Sequence, residues 1–166
     1  MIISAIKSKD VSDKRSVLHP ETIKNLISKG IEIIFESGIG DGIHVGDQTF
    51  IDLGAKPVSR ESCFSDAEII LTPSPIDDHE VKLIGDGKTL MGMVSPFDNR
   101  GLLKNLCDSN INLVSMEFVP RITRAQKMDV LSSQANLAGY VAVIESSSLL
   151  SIAMPMMMTA AGTLKP

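Results

Sequence analysis

Short apolar runs of β type alternate along the chain with segments whose apolar residues share one helical face. Ile2 to Ile6 is the first run. Pro20 to Lys29 then sets Ile23, Leu26 and Ile27 on one face. Pro20 suits a first turn, which tolerates its missing N–H, and Gly30 suits a left-handed cap. Ile31 to Phe35 is apolar at every position but Glu32, the near-continuous run of a strand covered on both faces. Gln48 to Leu53 predicts a short helix closed by Gly54, Pro57-Val58 an extended piece, Ile69 to Leu71 a strand, and Asp78 to Ile84 a short helix. Thr89 to Val94 and Ile111 to Met116 read as strands flanking a helix over Arg100 to Asp108, with Leu102, Leu103 and Leu106 on one face. A longer helix spans Ser132 to Leu150 and carries the small residues Ala135, Ala138, Gly139 and Ala142, followed by an extended segment over Ala153 to Ala160.

Strand and helix alternate about five times, which predicts right-handed crossovers and a mostly parallel sheet with helices on both faces. The expected fold is a three-layer α/β/α sandwich, flavodoxin-like or Rossmann-like. Ligands of such sheets gather at the carboxyl ends of the strands. The loops to inspect are therefore Lys7–His19, Ser37–Gly46, Thr72–Asp77, Ser95–Asn99 and Val119–Ser132.

Composition narrows the functional classes. The 166 residues carry 16 Lys+Arg against 20 Asp+Glu, a formal charge of −4. That balance argues against a sequence-independent nucleic-acid binder. No apolar run approaches the roughly 20 residues needed to cross a bilayer, and Met1 to Ile6 lacks the basic region of a secretory signal. Cys63 and Cys107 have no CxxC spacing and fit buried free thiols in a reducing, cytoplasmic compartment.

Few residues offer chemistry. His19, His44 and His79 have no ligand partners at metal spacing and read as surface or capping residues. There is no GxSxG elbow and no Walker lysine loop. Gly38-Ile-Gly-Asp-Gly42 follows a strand, but Ile43 stands where a dinucleotide fingerprint needs its third glycine, so a tight turn using φ > 0 explains it better. One stretch stands apart: Val119 to Tyr140 sets Arg121, Arg124 and Lys127 close together, with Gln126 among them and Asp129 and Ser132 at a helix start. Arg121 and Asp129 can pair and brace the loop, leaving Gln126 and Ser132 as neutral partners for a ligand amide or ribose. The bland alternative is a solvated loop in which Asp129 or Ser132 caps the helix.

The run PRITRAQ, then D, SS, AN and AGY, resembles the N-terminal part of the NAD(H)-binding component of proton-translocating NAD(P)+ transhydrogenases, within the alanine dehydrogenase/transhydrogenase N-terminal superfamily. Lys14-Arg15 to His19-Pro20, Glu36-Ser-Gly-Ile-Gly40, Ala67-Glu-Ile-Ile and Met156-Met-Met-Thr-Ala-Ala-Gly162 extend the resemblance over nearly the whole chain. It implies that residues 1–152 form a catalytic-loop subdomain and that 153–166 form a hinge to a Rossmann subdomain holding most of NAD(H). By the same resemblance Arg121 and Asp129 organise the loop, Gln126 bridges toward NADP(H) on a separate domain, and Ser132 meets the nicotinamide end of NAD(H). The implied reaction is direct hydride transfer from NADH to NADP+, coupled to proton translocation. The implied partners are the Rossmann subdomain and a membrane domain or β subunit with the NADP(H) domain, which hold the assembly at the inner membrane; a homodimer is compatible.

The chain stops at Lys165-Pro166, where the family continues, so the piece alone is expected to be inert. Thr72 stands where relatives often have lysine, and Val94-Ser-Pro-Phe97 lacks the histidine that alanine dehydrogenases use. Alanine is thereby disfavoured as substrate. The competing readings are the N-terminal half of an alanine- or saccharopine-dehydrogenase-type oxidoreductase and a stand-alone α/β interaction module.

Overall fold

The computed structural model describes residues 1–152 and 154–164, which fall into two compact units, Met1–Val119 and the segment from Pro120 onward. In the first unit six strands form one sheet: β1 (Ile2–Ala5), β2 (Glu32–Glu36), β3 (Lys56–Val58), β4 (Ile69–Thr72), β5 (Thr89–Gly92) and β6 (Asn112–Ser115). Every pairing is parallel and the order is β3-β2-β1-β4-β5-β6. This is the Rossmann order rather than the flavodoxin one, with its topological switch point between β1 and β4.

Helices α1 (Pro20–Ile27) and α2 (Asp47–Asp52) bury Ile23 and Phe50 on one face, against Ile33, Phe35 and Ala5. Phe35 and Phe50 meet edge to face, with ring centroids 5.4 Å apart. The other face is covered by α3 (Arg60–Asp66), α4 (Asp78–Val81) and α5 (Arg100–Asp108), which bring Phe64, Val81, Leu102 and Leu106 onto Ile6, Ile34, Ile70 and Leu90. The predicted three layers are present.

Several details differ from the sequence reading: α4 ends at Val81 rather than Ile84, β5 ends at Gly92 rather than Val94, and three further differences have a clear physical origin. Helix α3 escapes the apolar pattern, because Cys63 and Phe64 are adjacent and give no helical period; its start is fixed by Ser59, whose hydroxyl accepts the Ser62 amide at 3.1 Å. Cys63 is buried as expected, and burial pushes its thiol up to about 12. Cys107 is exposed, against expectation: Leu106 holds the buried face of α5, and the next residue lies about 100° round the helix. At the chain's far end, a hairpin replaces the single extended segment expected over Ala153 to Ala160.

Ser4 lies fully buried in β1, and its hydroxyl has no hydrogen-bond partner among the described residues. Ser4→Ala removes that unpaired group, so urea unfolding should show a gain of about 1 kcal/mol.

The second unit holds α6 (Val130–Leu149) and the antiparallel hairpin, β7 (Met157–Thr159) with β8 (Gly162–Leu164). The chain turns back between these strands, and Thr159 Oγ1 donates to the Gly162 carbonyl at 3.0 Å. Ala153, Lys165 and Pro166 lie outside the described residues.

Candidate functional site

Because all six strands of the first unit run in parallel, their carboxyl ends share one edge. At the switch point two polar side chains of that edge, Arg15 and Thr72, are tied to internal partners, and an open recess of about 210 Å³ lies beside them between the loops after β1 and β2. Arg15 is forked by the Asp13 carboxylate, with Nε to Oδ1 at 2.8 Å and Nη2 to Oδ2 at 2.7 Å. Its Nη2 also donates to the Pro73 carbonyl at 3.1 Å. Thr72 is buried, and its hydroxyl donates to the Ser74 carbonyl at 2.5 Å.

A Cβ on the adjacent Gly92 would fall on the Thr72 carbonyl, so only glycine lets β5 approach β4 here. Gly92→Ala should therefore force the strands apart and lower stability by about 2 kcal/mol, read from the denaturation midpoint.

Beside the switch point, Arg60 joins three elements. Its Nε donates to Glu80 Oε1 at 2.6 Å, and its Nη1 donates to Glu36 Oε2 at 2.7 Å and to the Lys7 carbonyl at 2.9 Å. Lys9 pairs with Glu80 at 2.9 Å and also with Asp77. Burial pushes the Glu80 carboxyl up, but hydrogen bonds from Arg60, the Asp77 amide and Lys9 outweigh it and hold the group below its ordinary value. No local motif announces this cluster. Glu80 and Glu36 lie 20 and 24 residues from Arg60, beyond any spacing rule.

The glycine loop after β2 is a packing device. Gly38 adopts φ +78°, and its amide donates to the Asp47 carboxylate at 2.9 and 3.1 Å. Gly40 and Gly42 are needed for close approach instead: a Cβ on either would overlap the Val45 carbonyl or the Lys14 backbone, respectively. None of His19, His44 and His79 is buried.

In the second unit the four residues singled out by sequence come together. The chain from Pro120 to Asp129 is folded by short-range bonds, including Ala125 N to the Ile122 carbonyl at 2.9 Å and Met128 N to the Ala125 carbonyl at 2.8 Å. Arg121, Gln126, Asp129 and Ser132, with Ile122 and Thr123, line one open recess of about 260 Å³. Ile122 and Thr123 are additions to the set that sequence reasoning selects; their only signal is their place inside the arginine–glutamine run.

Asp129 is the N-cap of α6 and is only 5% exposed. Its Oδ1 accepts the Ser132 amide at 3.0 Å and its Oδ2 the Ser132 hydroxyl at 2.6 Å. Those two bonds, the hydroxyl first, hold the carboxyl below its ordinary range, and Arg121 adds to them. A carboxylate at the positive end of a helix dipole is favoured further. The Arg121 Nε lies 3.9 Å from Oδ2 on a largely exposed side chain, so this pair is the looser bond of the set. At neutral pH the recess thus holds a fixed carboxylate, a hydroxyl bound to it, and the exposed side chains of Arg121 and Gln126.

Helix α6 has no buried residue, and Leu137, Tyr140, Val141, Val143 and Ile144 are all exposed. No helix among the described residues is long and apolar enough to cross a membrane. So many exposed apolar side chains on one helix leave a surface for a partner to cover.

Fold and recess define a Rossmann-order α/β unit followed by a polar loop at a helix N-terminus, a class suited to positioning a ligand. More narrowly, the profile of the family described as alanine dehydrogenase/PNT, N-terminal domain, matches residues 6–138, and the chain belongs to that family. It is 41% identical over 99% of its length to the first part of the NAD(P) transhydrogenase subunit alpha of Rickettsia prowazekii, covering 44% of that protein. It is 39% identical over its whole length to the corresponding protein of Rhodospirillum rubrum, which carries the same name, and covers 45% of it. The crystal structure of transhydrogenase from Sinorhizobium meliloti matches 99% of the chain at a TM-score of 0.90 and 36% identity, with 49% of that structure covered. The chain thus spans about half the length of the relatives it matches.

Proposed function

We propose that this chain is the NAD(H)-side catalytic-loop subdomain of an NAD(P) transhydrogenase and acts in direct hydride transfer between NADH and NADP+. The observation that carries the reading is the convergence of Arg121, Gln126, Asp129 and Ser132 on one recess. Asp129 fixes Ser132 and the first turn of α6; Ser132 meets the nicotinamide end of NAD(H); Gln126 reaches toward NADP(H) on a partner domain; Arg121 braces the loop. The two nucleotides carry the hydride, and this chain supplies orientation.

A Rossmann subdomain completes the NAD(H) cleft and docks on the apolar surface of α6, and a membrane-bound partner with the NADP(H) domain receives the hydride. The alternative, an amino-acid oxidoreductase half, finds no support at the switch point, where Arg15 and Thr72 are occupied by internal partners.

The test is reconstitution with the completing subdomain and the NADP(H) domain. NADH-dependent reduction of NADP+ supports the proposal. Pyruvate- or lysine-dependent NADH oxidation by the completed assembly, with no NADP+ reduction, would establish the alternative.

The depressed Asp129 carboxyl adds a pH prediction. A folded pKa below the unfolded one contributes stability above the ordinary carboxylate range that is lost as pH falls through the folded value. Helix α6 should therefore loosen at its first turn on acidification, and Asp129→Asn should flatten that response in amide hydrogen exchange at Ser132 and Ser133.

A further inference from the structure

We draw no further inference here: the strongest candidate, the apolar surface left exposed by α6 and the β7–β8 hairpin in the second unit, belongs to the partner contact already proposed, and nothing in the structure shows what else covers it.

Discussion

Arg60→Met is expected to destabilise the first unit by about 3 kcal/mol, the scale for removing one partner of a buried ion pair. The reason is what remains. Glu80 and Glu36 keep only 4% and 12% side-chain exposure, and methionine fills the volume without supplying a donor. Lys9 still reaches Glu80, which keeps the loss toward the lower end of the range for such pairs. The pH dependence separates this cause from lost packing. In the native protein the depressed Glu80 carboxyl contributes stability above its ordinary pKa, and that contribution fades as pH falls through the folded value. In the variant Glu80 loses the Arg60 bond that helps hold its carboxyl below the ordinary value, so the gap between variant and parent should narrow on acidification from neutral pH into the carboxylate range. Urea denaturation at both ends reads this directly, and a constant gap would mean that packing rather than charge accounts for the loss.

Gln126→Asn in the reconstituted assembly should slow hydride transfer about 100-fold, the scale of a misplacement of about 1 Å between reacting partners. Gln126 follows the buried Ala125 and opens a short turn, so its backbone is fixed while its side chain is exposed. Shortening it by one methylene withdraws the amide without changing its chemistry. NADH affinity should change little, because the proposal gives Gln126 the bridge to NADP(H) and gives Ser132 the contact with NAD(H). Stopped-flow transfer rates and equilibrium NADH binding measured together check both halves. Unchanged transfer would remove Gln126 from the reaction.

Much of the first unit is legible from pattern alone. The bounds of α5 are those its leucines predict, and β2 and β4 lie within a residue of their apolar runs. What escapes the pattern has a physical cause in each case. Helix α3 has too little apolar surface to show a period, and is set by the Ser59 cap and by the burial of two adjacent residues. The Arg60 cluster is assembled by the crossovers, which bring the ends of β1 and β2 beside the first turns of α3 and α4.

The candidate loop is the opposite case. Its residues, Arg121 to Ser132, are close neighbours along the chain, so the sequence displays them together before any folding. Which residue caps the helix stays open at that level. The geometry assigns the cap to Asp129, with Ser132 bound to it through both amide and hydroxyl.

If the chain supplies only one wall of a nucleotide cleft, it should not hold NADH by itself. A titration of the 166-residue chain with NADH, followed by the nucleotide's own fluorescence, tests this most directly. No tryptophan and a single tyrosine, Tyr140, leave that signal nearly clear. The expected result is no saturable change up to millimolar NADH, and saturable binding once the Rossmann subdomain is added. Saturation at micromolar NADH by the chain alone would show a complete site and contradict the proposed division of labour.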